Sequence, residues 1–407
     1  MSHSKYIDAA FRIGIDICKQ GIWNKESCQW ISSNNPLEKK SNNTIYNQLD
    51  TDFYNGTSGI SYFLSELYLA TKDGIVKKYL EGSLNKLLIE NTSVNEHIYG
   101  FYTGIPGVAF ALIKGGKALN EELYLNAGLK LLKSINNVGG KDIINGPVGV
   151  VPFLCHLYIE TKDSNWLDLA LNISDQVLKT AERSELGISW DTMEHKTNNL
   201  TGLAHGNAGF AWVFSELYKI TRDKKHLEIA EECVRYENNC KAIDGRNWSD
   251  FRDFEKKLNP NSRHETGSMA WCHGAPGIGL SRIRQYVIAP NEKYLQDIHD
   301  AVDLTFQSLQ NNINTKTGNF SLCHGICGNA DLLLYYDEVF HDKAKYNNFL
   351  HNIAELGISE FINKGIDFPS GLHINQPNIS FMLGSAGIGW FYLRMGNVIK
   401  TPLLIGI

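Results

Sequence analysis

Seven strongly apolar stretches recur along the chain, and each follows two glycines set three residues apart. The pairs are Gly56/Gly59, Gly104/Gly107, Gly146/Gly149, Gly206/Gly209, Gly274/Gly277, Gly325/Gly328 and Gly384/Gly387. Successive pairs lie roughly 40 to 70 residues apart, the mark of an internal repeat whose loops vary in length. The stretches, such as ISYFLSELYLA, VVPFLCHLYIE and FAWVFSELYKI, are apolar on nearly every side, which predicts buried helices. Between them run longer segments, such as WLDLALNISDQVLKTAER and KYLQDIHDAVDLTFQSLQ, with one apolar and one charged face. That spacing predicts helices packed on one side and wet on the other.

Seven inner helices alternating with seven outer ones predict an all-α fold, an α,α-toroid (α/α barrel). An open stack of repeats would not bury its inner helices so thoroughly. The glycines fall where an outer helix hands over to an inner one. There the chain must turn at the crowded axis, which a residue without Cβ does at least cost. All seven inner helices therefore start at one end, and their loops gather around one mouth. Two regions break the repeat. Residues 184–200 alternate enough for a short β-ribbon, with Trp190 and Met193 as its packing residues. Residues 236–268 are polar, with turn signals at Asp244-Gly245 and Asn259-Pro260, and read as a surface excursion bordering the mouth. No linker divides the chain, so residues 1–407 are expected to form a single domain.

Composition narrows the function. The 407 residues are 43% hydrophobic and 20% charged, with a net charge of -5 and no basic stripe, which argues against a nucleic-acid partner. The N-terminal segment reads as an amphipathic helix rather than a secretory signal, because Asp8 and Arg12 interrupt its apolar run. No stretch approaches transmembrane length. Eight scattered cysteines lack the density of a disulfide scaffold, which points to a reducing, cytoplasmic setting.

Two of those cysteines carry the candidate chemistry. Trp271-Cys272-His273-Gly274 and Leu322-Cys323-His324-Gly325 occupy equivalent repeat positions at inner-helix starts. A lone cysteine there is often just a small apolar side chain. Two, each followed by His-Gly, suggest a zinc site of Cys272, Cys323 and His324 with a fourth position open, the pattern of catalytic zinc. Helix N-termini also favour thiolate. His205 precedes Gly206 as His273 precedes Gly274, and Asp142 lies four residues before Gly146. Such residues often serve as caps, but equivalence of position places His205 at the mouth as an acid/base candidate. Tyr102 points there too, where an aromatic more often packs.

In Ala204-His205-Gly206, Trp271-Cys272-His273-Gly274 and Cys323-His324-Gly325, and in the seven glycine pairs, the whole chain resembles the lanthionine synthetase C-like family. The resemblance implies a toroid of fourteen helices and one zinc per chain on Cys272, Cys323 and His324. The implied reaction is Michael addition of peptide cysteine thiols to dehydroalanine or dehydrobutyrine, forming thioether rings. His205 matches the histidine proposed as acid/base, Asp142 the acidic residue of the third repeat, and Trp271 the tryptophan beside the first zinc cysteine. The implied partners are a dehydrated precursor peptide with a leader segment, a separate dehydratase and an exporter, with the chain cytoplasmic or peripheral at the membrane.

Two positions depart from the pattern. Freestanding cyclases of the family carry tyrosine after the first zinc cysteine and arginine four residues before it, where this chain has His273 and Ser268. His273 is then a candidate to steady the enolate oxygen. Three rival readings stand beside the cyclase: addition of a small thiol such as glutathione to dehydrated proteins, a toroidal glycosidase and a binding scaffold. A glycosidase needs two inward carboxylates, and the mouth offers few acids beyond Asp142.

Overall fold

In a computed structural model of the chain, the first glycine of every pair immediately precedes an inner helix or, at Gly146, a short 3-10 turn that leads into one. The structure describes residues 2–33, 46–91, 99–135, 141–193, 198–243, 245–252, 267–341, 343–372 and 377–404. The first half contains α1 (Ser2–Lys19), α2 (Thr57–Thr71), α3 (Gly74–Asn91), α4 (Ile105–Leu119), α5 (Glu122–Lys133), α6 (Val151–Thr161) and α7 (Ser164–Leu178). The second adds α8 (Asn207–Thr221), α9 (Lys224–Asn239), α10 (Ala275–Ile288), α11 (Glu292–Thr315), α12 (Ile326–Phe340), α13 (Lys343–Gly357) and α14 (Ser385–Met395). Even-numbered helices form the inner wall and odd-numbered ones the outer. Helix α14 packs against α2, so the wall closes on itself, as the apolar pattern predicts.

The second glycine of each pair has a steric cause common to all seven repeats. A Cβ at Gly59, Gly107, Gly149, Gly209, Gly277, Gly328 or Gly387 would run into a carbonyl oxygen six residues earlier. Those oxygens belong to Phe53, Phe101, Ile143, Leu203, Trp271, Leu322 and Phe381. Each loop thus folds back onto the first turn of its own helix. Gly274 alone among the first glycines has a positive φ, 94°, where a side chain would be strained.

Backbone hydrogen bonds link each loop to the next. Tyr54 N–H donates to Tyr102 O, Tyr102 N–H to Ile144 O, and Ile143 N–H to Ala204 O, at 2.9–3.3 Å. Ala204 N–H then donates to Cys272 O, Cys272 N–H to Cys323 O, and Cys323 N–H to Met382 O, at 3.0–3.2 Å. Met382 N–H returns to Tyr54 O at 3.0 Å and completes the circle. Beneath it the axis is filled by aromatic rings, with Phe53 5.0 Å from Phe381, 5.6 Å from Phe101 and 5.6 Å from Phe110.

The predicted ribbon is present as β5 and β6 below, two residues earlier than the alternation suggests, and two further strand pairs precede it. Strands β1 (Ile22–Asn24) and β2 (Ser27–Gln29) pair, as do β3 (Ile31–Ser33) with β4 (Tyr46–Gln48) and β5 (Glu182–Ser184) with β6 (Gly187–Ser189). Trp190 packs as expected, stacked on Phe210 at 4.0 Å with its Nε1–H on Val177 O at 2.9 Å. Met193 is half-buried. The β1–β2 hairpin escapes sequence reasoning because its turn, Lys25-Glu26, is polar and its strands are only three residues long. Trp30 closes it as Trp190 closes the other, with Nε1–H on Ile17 O at 2.9 Å.

The reading of 236–268 needs correction at its start. Residues 236–239 finish α9, and Trp248 is fully buried, with its Nε1–H on Asn238 Oδ1 at 3.2 Å. This part is packed rather than a surface excursion; residues 253–266, with Asn259-Pro260, and Asp244 lie outside the described residues.

One buried ionic cluster ties two outer helices, α9 and α11, to the inner helix α10. Glu237 of α9 and Arg282 of α10 are both fully buried, with Arg282 Nη2–H on Glu237 Oε2 at 2.7 Å and Nε–H on Asp297 Oδ2 at 3.1 Å. Glu237 Oε1 accepts Gly202 N–H and Ala208 N–H, both at 2.9 Å, which fixes the two ends of the loop carrying His205.

Candidate functional site at the mouth of the ring

The fifth and sixth loops bring Cys272 and Cys323 into side-chain hydrogen-bond contact. Both thiols are free; Cys323 is buried and Cys272 half-buried. The Cys272 contact and burial push the Cys323 thiol well up. Cys272 is lowered by the Cys323 hydrogen bond, with the charges of Arg252 and His205 helping against burial. The pair is therefore predisposed to thiolate at Cys272. Seven helix N-termini facing the same mouth act in the same direction.

His205 and Asp142 meet in this mouth. His205 Nδ1 lies 2.6 Å from Asp142 Oδ2, while Asp142 Oδ1 accepts Asn145 N–H at 2.5 Å and Gly146 N–H at 3.1 Å. Asp142 is buried, only 3% exposed, and every oxygen is engaged, so it orients His205 rather than acting as a free acid. Thr192 Oγ1–H donates to His205 O at 2.6 Å and holds its backbone. The His205 ring stacks on His273, centroids 5.6 Å apart.

His273 is 1% exposed, and burial together with the Arg252 charge pushes its imidazole down to about 3. It is neutral at physiological pH. Its ring faces Thr201 O, and its Nε2 has no hydrogen-bond partner among the described residues. A nitrogen donating to that carbonyl leaves Nε2 as an acceptor. Trp271 is buried, with its indole N–H on Leu403 O at 2.8 Å and its ring 5.5 Å from Tyr102, so it offers packing and no spare polar atom. Tyr102 packs as expected of an aromatic there, with its buried hydroxyl unpartnered among the described residues.

His324 stands apart from the thiol pair's hydrogen bond. Its side chain is exposed and its Nε2 lies 2.9 Å from Gly371 O. A ring proton on that nitrogen makes Nδ1 the lone-pair nitrogen, the arrangement in which a metal-binding histidine is usually held. Among the described residues no three His, Cys, Asp or Glu side chains already stand as a metal-holding group. The chemistry of two adjoining thiols suits a soft divalent metal such as zinc, and the fit rests on them.

Two participants carry no motif. Tyr54, in the first loop, hydrogen-bonds Cys323 through its hydroxyl, and burial pushes that phenol far up. Arg252 follows α9 and is gripped by Asp250, Nε–H to Oδ1 at 2.9 Å and Nη2–H to Oδ2 at 2.7 Å. Ser268 Oγ–H donates to the same Asp250 Oδ2 at 2.5 Å. The Arg252 and Ser268 bonds hold the Asp250 carboxyl below the usual carboxylate range against burial.

Comparison with known proteins agrees with this architecture. The family model described as "Lanthionine synthetase C-like protein" matches residues 47–402. The lacticin 481/lactococcin biosynthesis protein LcnDR2 of Lactococcus lactis subsp. lactis is 27% identical over 372 residues, 86% of this chain. The chain spans about a third of that relative's length, 36%. Among solved structures, nisin cyclase superposes with a TM-score of 0.63 at 17% identity, over 85% of this chain and 88% of that one. A family 76 mannosidase of Bacteroides thetaiotaomicron VPI-5482 reaches 0.50 at 12% identity, over 96% and 98% of the two chains. At these identities the solved structures report the toroid alone. No helix among the described residues is long and apolar enough to cross a membrane. With the family model matching most of its length and the seven glycine-paired loops in place, the chain belongs to the lanthionine synthetase C-like family.

Proposed function

We propose that this protein is a zinc-dependent lanthipeptide cyclase, with one zinc per chain held by Cys272, Cys323 and His324. The observation that carries the reading is the thiol pair of Cys272 and Cys323 in the same mouth as the Asp142–His205 pair. Zinc bound there would supply the charge that keeps a substrate cysteine ionised at neutral pH. The substrate is a precursor peptide bearing dehydroalanine or dehydrobutyrine and free cysteines, made by a reaction that dehydrates serine and threonine.

His205 carries the proton step. When the substrate thiolate adds to Cβ of the dehydrated residue, the double-bond electrons move into an enolate and Cα must gain a proton. Asp142 fixes the His205 ring through Nδ1, which leaves Nε2 as the nitrogen that delivers it. His273, neutral and with an accepting Nε2, is poorly suited to that delivery.

The test is ring closure on a dehydrated peptide with its own cysteine, followed by mass spectrometry and thiol loss, beside metal analysis of the purified protein. We expect rings without added thiol, which separates the cyclase from glutathione addition, and about one zinc per chain that Cys272→Ala and Cys323→Ala lose without unfolding. His205→Asn should keep its zinc and slow cyclisation roughly 10²–10⁴-fold, the usual span for a positioned acid/base. Full zinc in either cysteine variant, or a near-normal rate in His205→Asn, would overturn the corresponding assignment.

A further inference from the structure

Addition to a dehydrated residue places negative charge on its carbonyl oxygen, and a preorganised donor at that oxygen stabilises the step. Three histidines of the site are poorly placed to donate there. His205 is committed through Nδ1 to Asp142 and is assigned to Cα. His273 Nε2 is an acceptor, and His324 Nε2 lies on Gly371 O.

Arg252 has the required features. The segment leading into it is held: Lys241 and Trp248 form an antiparallel bridge, Ser249 N–H donates to Cys240 O at 3.1 Å, Arg252 N–H donates to Asp250 Oδ1 at 3.0 Å, and Ser249 O accepts Thr201 Oγ1–H at 2.7 Å. The last of these joins the segment to the fourth loop. Ser268, which shares Asp250 with Arg252, joins it to the fifth, because the neighbouring Met269 bridges Gly274. Asp250 occupies Nε and Nη2 of the guanidinium, and Nη1 makes no hydrogen bond among the described residues. Arg252 also lines a small cleft with Asp191, Thr192 and Leu200, and Thr192 is the residue whose hydroxyl holds His205 O. Through Asp250 and Ser268 at the fifth loop, and through Thr192 beside His205, the guanidinium is tied to the two loops that carry Cys272 and His205.

We propose that Arg252 donates to the carbonyl oxygen of the dehydrated residue and stabilises the enolate formed as the thiolate adds, with Asp250 and Ser268 as its positioning residues. The step balances. The S–Cβ bond forms with the thiolate electron pair, the π pair of the Cα=Cβ bond moves into the enolate, and its oxygen carries the charge opposite Arg252. Cα then takes the proton from His205, and the electrons return to restore the carbonyl. The assignment rests on the cyclase reading above.

The experiment measures kcat and KM for ring closure of a peptide with one dehydroalanine and one cysteine, in wild type, Arg252→Met, Arg252→Lys and Asp250→Asn. Binding of the same peptide with alanine in place of dehydroalanine is measured alongside by calorimetry. Arg252→Met should lower kcat about 10²–10³-fold, the span for losing one such donor, with KM and alanine-peptide affinity within about threefold of wild type. Lysine should restore part of the loss, and Asp250→Asn should lower kcat by roughly tenfold by loosening the guanidinium. If wild type closes rings and Arg252→Met stays within threefold in kcat, or loses only KM, the assignment is overturned while the cyclase reading stands. A wild type that closes no ring overturns both.

Discussion

Replacing Glu237 by glutamine tests whether the buried ionic cluster holds the His205 loop in place. The carboxylate sits between two sets of donors: Arg282 Nη2–H on one oxygen, Gly202 N–H and Ala208 N–H on the other. An amide has only one accepting oxygen, so its NH₂ must face donors on one side or the other. Among the described residues Arg282 then keeps only Asp297 as a counter-charge. Removing one partner of a fully buried pair costs about 3–5 kcal/mol. At roughly 2.1 cal/mol/K per residue, unfolding 407 residues carries an entropy of about 0.85 kcal/mol/K, so the melting temperature should fall by about 4–6 °C. Circular dichroism melts of Glu237→Gln, Arg282→Gln and the double variant form a cycle in which we expect about 1–3 kcal/mol of coupling. A Glu237→Gln melt within about 1 °C of wild type, or a cycle without coupling, would refute the argument; the slope above converts such a shift to under about 1 kcal/mol.

Two further perturbations separate local sterics and charge from the site chemistry. Gly328→Ala should destabilise by about 1–3 kcal/mol, since its Cβ meets Leu322 O, whereas Gly74→Ala, facing open space, should be neutral or stabilise by up to about 1 kcal/mol in the same denaturant titration. Asp52 is half-buried, and burial raises its carboxyl to about 6 against the opposing Asn55 N–H bond at 2.7 Å. A folded-state value above the unfolded one means a stabilising contribution that is complete below about pH 4 and lost as pH rises through about 6. Asp52→Asn should therefore gain up to about 3 kcal/mol relative to wild type between pH 4 and pH 7, and a pH-independent difference in unfolding free energy would contradict the sign.

The fold was legible because its determinants are local. Each second glycine answers a contact only six residues away, and each inner helix announces itself by being apolar all round. The meeting of Cys272 with Cys323 followed from equivalence of position in a ring, which also set His205 and Asp142 at the mouth without revealing that they join. What stayed hidden depends on ring closure and on irregular backbone. Tyr54 reaches Cys323 because the first loop lies close to the sixth through the seventh, a proximity no spacing reveals. Arg252 lies in a polar stretch without periodicity, and its partner Ser268 is sixteen residues on. His273 shows the opposite limit: its position was plain, but its neutrality comes from burial and a neighbouring guanidinium.

The circle of loop-to-loop hydrogen bonds bears on how such a chain can change over time. A linear array of repeats can lengthen or shorten by one unit, because its terminal unit lends its free edge to a newcomer. Here Met382 N–H already donates to Tyr54 O, so the last loop has no edge to lend and the first none to receive. An eighth unit would have to break that bond and widen the whole circumference, pulling Phe53 away from Phe381 and Phe101 and opening a void at the axis. The number seven is thereby held as an integer constraint on the sequence. Novelty is left to the connections between units, and it is in one of them that Arg252 sits.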